Sequence, residues 1–254
     1  MKTVLITGAS SGIGRAIAKA FAAYPEYQLI LCARRKEKLE ALAQQLPHTK
    51  IHLLTFDVRD FQECKSAISS LPDSFGKVDI LINNAGLALG LDPIQEGNVD
   101  HWETMIDTNV KGLLYMTKIV SPIMIAQKSG HIINICSTAG KEVYPKGNVY
   151  CASKFAVDAL TKSIRQDLFA HNIRVSQVAP GHVEETEFAI NRFEGDSIKA
   201  NIYSDFNALK PDDVADAVYF LATRPAHVNI QDILMMSTQQ ASSTIVDRTG
   251  RRFD

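Results

Sequence analysis

The stretch 148–154, NVYCASK, sets Tyr150 and Lys154 four residues apart. On a helix that spacing puts both side chains on one face, one turn apart, so an ammonium group stands near a phenol. A tyrosine with a reference pKa of about 10 is protonated at neutral pH. A nearby cation favours its phenolate, a base able to take the proton of an alcohol. An exposed surface pair satisfies the same spacing, so the pair alone leaves both readings open. Ser137 ends the apolar run HIINICS, where its hydroxyl can bond a reacting oxygen or simply close a turn. Asn109 lies inside a helical pattern, an unfavourable interior position for asparagine.

These residues need elements to hold them. Short apolar runs at 3–7, 28–32, 51–56, 79–83, 131–136 and 173–179 read as buried parallel strands. Segments of helical period at 13–24, 36–46, 61–71, 100–127 and 149–170 separate them. This alternation predicts an α/β fold, a Rossmann-like doubly wound parallel sheet flanked by helices. Pro211, with Asp212 and Asp213 behind it, opens a further helix to about Thr223, and 232–236 adds a last strand. No linker or repeat divides the chain, so 1–254 is expected to be a single domain. Between 184 and 209 the periodicity fades. This segment follows the sixth strand at the carboxyl ends, where ligands bind, and is expected to form a substrate lid.

The first strand runs into TGASSGIGRAIA, which sets Gly8, Gly12 and Gly14 around Ser10, Ser11 and Ile13 at a helix start. Bare glycines let backbone approach a pyrophosphate, and the helix N-terminus offers free N–H groups. The spacing is G-x3-G-x-G rather than G-x-G-x-x-G, but its place between strand and helix still points to a dinucleotide. An acid about 20 residues onward would hold the ribose hydroxyl of NAD, whereas arginine suits the 2′-phosphate of NADP. Here Arg34 and Arg35 follow the second strand, with no acid until Glu37. NADP is the expected cofactor, with Ser10 or Ser11 able to add a hydroxyl to the same phosphate.

TGASSGIG, the Asn-Asn-Ala-Gly at 83–86, Asn109, Ser137 and Tyr150-x3-Lys154 span nearly the whole chain. Together they resemble the short-chain dehydrogenase/reductase family. NAGLALG, WETMIDTNVKGLLYMT, HIINICSTAG, GNVY, TEF and RPAHVNI resemble a narrower group, the NADP-dependent 3-hydroxy acid dehydrogenases that also oxidise serine and L-allo-threonine. The resemblance implies hydride transfer between NADP(H) and C3 of a small 3-hydroxy acid, or reduction of a 3-oxo acid or semialdehyde. 3-Hydroxypropionate, 3-hydroxyisobutyrate, L-serine and L-allo-threonine are the substrates it suggests. It makes Tyr150 the general acid/base and has Lys154 also hold the nicotinamide ribose. Ser137 steadies the reacting oxygen, and Asn109 supports a water-mediated proton path from the lysine.

By the same resemblance Asp57 and Val58 contact the adenine, and Asn84, Ala85 and Gly86 form the floor under the adenosine ribose. Pro180, Gly181 and Val183 border the nicotinamide, and His182 falls on a variable site with no catalytic role. The family pattern continues P-G-x-V-x-T, whereas here Glu184 and Glu185 both precede Thr186, one residue out of step. Those two carboxylates are expected to point away from an acidic substrate. A substrate carboxylate calls for a cation, and Arg192 in NRFEGD is the candidate, ahead of Lys141 and Lys146. An exposed lid charge is the other reading of Arg192. Family members pair the helices at 100–127 and 149–170 into homotetramers, and Trp102 and Tyr115 suit core or interface packing. A carbonyl or 3-oxoacyl reductase is the nearest alternative; a non-catalytic NADP sensor is the alternative of a different class.

The remaining composition narrows the partners. A formal net charge of −1 with no basic run gives no surface for nucleic acid or anionic membrane. The polar TGASSG comes too early for a signal peptide, and no apolar run reaches the roughly 18 residues of a membrane span, so a cytoplasmic location is expected. Four cysteines lack CxxC spacing and seven histidines never join them at ligand spacing, so reduced thiols and no metal are expected.

Overall fold

Strands that are apolar on every residue must be covered on both faces. The computed structural model, which describes residues 1–250, builds seven strands, of which β2 and β4 are buried along their whole length: β1 (Lys2–Thr7), β2 (Tyr27–Ala33), β3 (Ile51–Thr55), β4 (Ile80–Asn83), β5 (Gly130–Ile135), β6 (Ile173–Pro180) and β7 (Asp232–Met235). They form one sheet in the order β3-β2-β1-β4-β5-β6-β7, and every pairing is parallel. The register is unbroken between β1 and β2, from Lys2 opposite Tyr27 to Thr7 opposite Cys32. The chain reverses direction across the sheet at β1 and β4, which opens a crevice at their carboxyl ends.

The helices are α1 (Gly12–Ala22), α2 (Lys36–Gln44), α3 (Phe61–Ser69), α4 (Val99–Ile106), α5 (Gly112–Gln127), α6 (Asn148–Leu168), α7 (Phe188–Arg192), α8 (Ser197–Ala200) and α9 (Pro211–Thr223). Alternation along each strand divides the core. Val4, Ile6, Leu29 and Leu31 pack with α1, α2 and α9 on one face. Leu5, Ile30 and Cys32 pack with α3, α5 and α6 on the other.

Local chemistry explains the element ends. The Asp60 carboxylate accepts from the Gln62 and Glu63 amides at 2.8 and 2.9 Å, capping α3. Pro211 starts α9, and the Asp213 side chain accepts from the Lys210 amide at 2.7 Å. Where 100–127 reads as one helix, the chain instead makes α4 and α5 joined by a turn of π-helix, Asp107–Lys111. The stretch without periodicity at 184–209 holds α7 and α8, helices of five and four residues, too short to show a repeat. The Trp102 ring lies against Gly97, and Tyr115 meets Phe61 edge-on at 5.3 Å. All four cysteines are buried and free. No described helix is long and apolar enough to cross a membrane.

Candidate active site

A cavity of about 750 Å³ lies at the carboxyl ends of the strands. It begins at the turn between β1 and α1. Gly8 takes φ +66, and a Cβ there would meet the Asn84 amide nitrogen at 2.9 Å. A Cβ on Gly14 would lie 2.4 Å from the Gly8 carbonyl, so this close packing of turn on helix admits only glycine. Asn84 braces the turn: its side-chain nitrogen donates to the Thr7 and Gly8 carbonyls at 2.9 and 3.2 Å. Its backbone N–H donates to the Thr7 hydroxyl at 3.0 Å. Thr7, which sequence reasoning passed over, is therefore the pin between β1 and β4.

Arg35 stands beside this turn and donates to the Ser10 and Ser11 hydroxyls, each at 3.2 Å. Arg34 is more exposed and lies 3.7 Å from Asp57, whose carboxylate also binds Arg59 at 2.7 Å. Those cations hold the Asp57 carboxyl below its ordinary range despite the opposing effect of burial. A second cation, Lys38, sits one helical turn from Arg35; its i,i+3 spacing was the signal that could have found it. Both Arg35 and Lys38 grip the Glu187 carboxylate, at 2.6 and 2.5 Å. No local pattern foretold Glu187, because its partners lie about 150 residues away in sequence.

At the far end α6 presents Tyr150 and Lys154, both buried, at 7% and 6% exposure. They are not a surface pair. The Lys154 ammonium lies 6.0 Å from the Tyr150 ring centroid and donates to the Ile135 carbonyl at 3.0 Å. Burial pushes the Tyr150 hydroxyl well above the usual tyrosine range, and Tyr144 adds to this. A hydrogen bond with Ser137 and the charge of Arg192 pull it back. Burial also holds the Lys154 ammonium below the usual lysine range. The cation that steadies Tyr150 in this geometry is therefore Arg192 rather than Lys154. Ser137, just past the end of β5, itself accepts from the Ala139 amide at 3.1 Å.

Asn109 stands behind the cavity wall, in the π-helical turn. Its Oδ1 accepts from the Leu87 amide at 2.9 Å, and its Nδ2 donates to the Leu87 carbonyl at 2.8 Å and to Ser153 at 3.0 Å. The helix distortion that receives the asparagine thus lets it tie the loop after β4 to α6. A Cβ on Gly86 would lie 3.2 Å from Asn109 Oδ1 and 3.5 Å from Lys154 Nζ, which shows how closely the three groups converge.

The end of β6 and the chain after it complete the wall with Pro180, Gly181, His182 and Val183. The additional residue is absorbed at Glu185, whose φ of +55 folds it outward to an ion pair with Lys210 at 3.1 Å. Thr186 then reaches the glycine turn, its methyl group 3.2 Å from where a Gly12 Cβ would be. Neither Glu184 nor Glu185 lines the cavity. Phe188 meets the Tyr150 ring at 5.6 Å. Arg192 is only 8% exposed, with its guanidinium carbon 5.4 Å from the Tyr144 ring and 5.8 Å from the Tyr150 ring. Its Nε donates to the Gly90 carbonyl at 3.1 Å. The reading of Arg192 as an exposed lid charge is thereby overturned. Lys141 binds Asp158 and Asp232 away from the cavity, and Lys146 does not line it either.

Of the site residues expected from sequence, Gly14 and Asn109 stand behind the wall; Gly8, Ser10, Ser11, Gly12, Ile13, Arg34, Arg35, Asp57, Val58, Asn84, Ala85, Gly86, Ser137, Tyr150, Lys154, Pro180, Gly181, Val183, Thr186 and Arg192 line it. Tyr144, Phe188 and Tyr203 also line it and were not foreseen. Among the described residues, no group of His, Cys, Asp or Glu is placed to hold a metal ion.

Comparison with known proteins agrees with this architecture. The chain is 45% identical over 239 residues to the NADP-dependent 3-hydroxy acid dehydrogenase YdfG of Salmonella typhi, covering 94% of this chain and 96% of that protein. It is 45% identical over 249 residues to sulfoacetaldehyde reductase 2 of Chromohalobacter salexigens, covering 96% and 98%. The closed form of a serine dehydrogenase complexed with NADP+ superposes with a TM-score of 0.91 at 44% identity, over 95% of this chain and 97% of that one. The family model for short chain dehydrogenase matches residues 2–197, and the protein belongs to that family.

Proposed function

We propose that the protein is an NADP-dependent dehydrogenase that moves hydride between NADP(H) and C3 of a small 3-hydroxy acid, or reduces the matching 3-oxo acid or semialdehyde. The residues present suit that cofactor. The glycine turn and the start of α1 offer backbone donors to a pyrophosphate, and Arg35, Lys38, Ser10 and Ser11 form a cationic, hydroxyl-rich patch for a 2′-phosphate. When bound, NADP(H) supplies or accepts the hydride. Tyr150 exchanges the hydroxyl proton with the substrate oxygen, and Ser137 donates a hydrogen bond to that oxygen as charge builds on it. Lys154 holds the ribose and Arg192 steadies the phenolate, while Asn109 keeps α6 and the loop after β4 in register for a proton path. We further assign residues 184–209 as the lid over the substrate, and a homotetramer built on α4, α5 and α6. Leu114 and Phe155 on these helices are apolar and exposed.

The observation that carries the substrate class is Arg192, a buried cation beside Tyr150. A guanidinium in that position holds the anionic end of a short substrate and sets its hydroxyl against Tyr150. The names of the relatives support the reading: 3-hydroxy acids, serine and sulfoacetaldehyde all carry an anionic group close to the reacting carbon. The test compares Arg192→Ala with the unaltered protein on 3-hydroxypropionate, L-serine and a neutral alcohol, with NADP and with NAD. KM for the acids should rise about tenfold or more while the neutral alcohol changes little. Equal effects on both classes would reject Arg192 as the carboxylate binder, and a preference for NAD would reject the cofactor assignment.

A further inference from the structure

Resting on that cofactor reading, we infer that Glu187 is an internal occupant of the 2′-phosphate subsite, and that NADP(H) enters by displacing it. The Glu187 carboxylate takes both cations of the subsite at once, one oxygen on Arg35 at 2.6 Å and the other on Lys38 at 2.5 Å. Arg35 uses the same terminal nitrogen to reach the Ser10 and Ser11 hydroxyls. A second anion in the same place would meet the charge of the Glu187 carboxylate and would compete with it for the same two cations. A phosphate monoester brings more charge and a third acceptor oxygen, so it can take over the subsite, whereas the bare ribose of NAD cannot. All three side chains are only about one-third to two-fifths exposed, a position where the contest between two anions is decided by direct contact.

The consequence reaches the other end of the cavity. Glu187 immediately precedes α7, and its carbonyl accepts from the Asn191 amide at 2.9 Å. The same helix sets Phe188 on the Tyr150 ring and Arg192 beside it. A carboxylate held in the subsite therefore fastens the segment that carries Arg192, and its release frees that segment. Glu187 is a positioning residue in this scheme: it sets how strongly the 2′-phosphate is discriminated, and it couples cofactor entry to the substrate side of the site.

Calorimetric binding of 2′,5′-ADP and 5′-AMP to the intact protein and to Glu187→Gln, Glu187→Asp and Arg35→Ala tests this without turnover. Glu187→Gln should bind 2′,5′-ADP about fivefold more tightly, with 5′-AMP unchanged, because a partly exposed ion pair no longer competes. Glu187→Asp, shorter by one methylene and still charged, should move in the same direction by less, and its folding is the least disturbed. In the unaltered protein, 2′,5′-ADP should also speed hydrogen exchange at the Asn191 and Phe193 amides, since it displaces Glu187 without offering a nicotinamide for the lid to grasp. Unchanged or weaker 2′,5′-ADP binding by both Glu187 variants, with Arg35→Ala still selectively weakening it, would overturn the displacement while leaving the cofactor reading intact. No preference for 2′,5′-ADP over 5′-AMP in the unaltered protein, with no effect of Arg35→Ala, would overturn both.

Discussion

Tyr150 illustrates how one side chain is set for two directions of chemistry. Burial keeps its hydroxyl protonated through neutrality, against the pull of Ser137 and Arg192. A protonated phenol is ready to donate in carbonyl reduction, whereas alcohol oxidation depends on the scarce phenolate. Because the pKa is raised, the phenolate fraction grows with pH. We therefore expect kcat/KM for oxidation to climb from pH 7 to pH 9 while reduction stays nearly flat. Tyr150→Phe should lower turnover by about a thousandfold and leave NADPH binding, followed by its fluorescence, within twofold of the parent. Retained turnover in that variant would remove Tyr150 as the proton carrier, and an oxidation rate already level below pH 7 would show that burial does not govern it.

Among the elements, the π-helical turn Asp107–Lys111 has a definite task. A regular helix would carry Asn109 elsewhere on its surface; the wider turn delivers both ends of its amide to the backbone of Leu87. Removing that amide strands a partly buried N–H and C=O together, each costing about 1–3 kcal/mol when unpaired. Asn109→Ala should thus lose roughly 3 kcal/mol, about 10 °C in Tm for a chain of this size. Thermal melts followed by circular dichroism would measure this. A Tm within 2 °C of the parent would mean that water replaces the amide and that the turn is not held by it.

The whole molecule stores a pH dependence in two largely desolvated histidines, His131 in the sheet and His182 in the cavity wall. His131 on β5 is 2% exposed, bonds Ser176 at 2.8 Å and, among the described residues, has no partner for its second ring nitrogen. Burial, helped by Arg174, lowers its pKa to about 3, and His182 is lowered to about 4, again mainly by burial. The unfolded chain takes up these protons near pH 6.5, so native stability is complete above that pH and falls as pH drops toward 4. For His131 alone the loss is roughly 3 kcal/mol over that window. Urea unfolding of His131→Gln should show a visibly flatter slope between pH 6.5 and 4; a slope equal to the parent's would discard the buried neutral histidine as its source. Strands, helices, the glycine turn and the spacing of Tyr150 and Lys154 were legible in sequence because each rests on contacts between near neighbours or on a repeat of two or 3.6 residues. The distorted helix at Asn109 was visible only as an awkward asparagine, since its cause is a loop 22 residues away. Sequence alone thus determined the order of strands and helices, the family and the identity of the chemical groups. Tertiary structure decided that Arg192 is buried beside Tyr150 and that Glu187 lies in the grip of Arg35 and Lys38, because those contacts join segments whose separation along the chain leaves no local pattern to read.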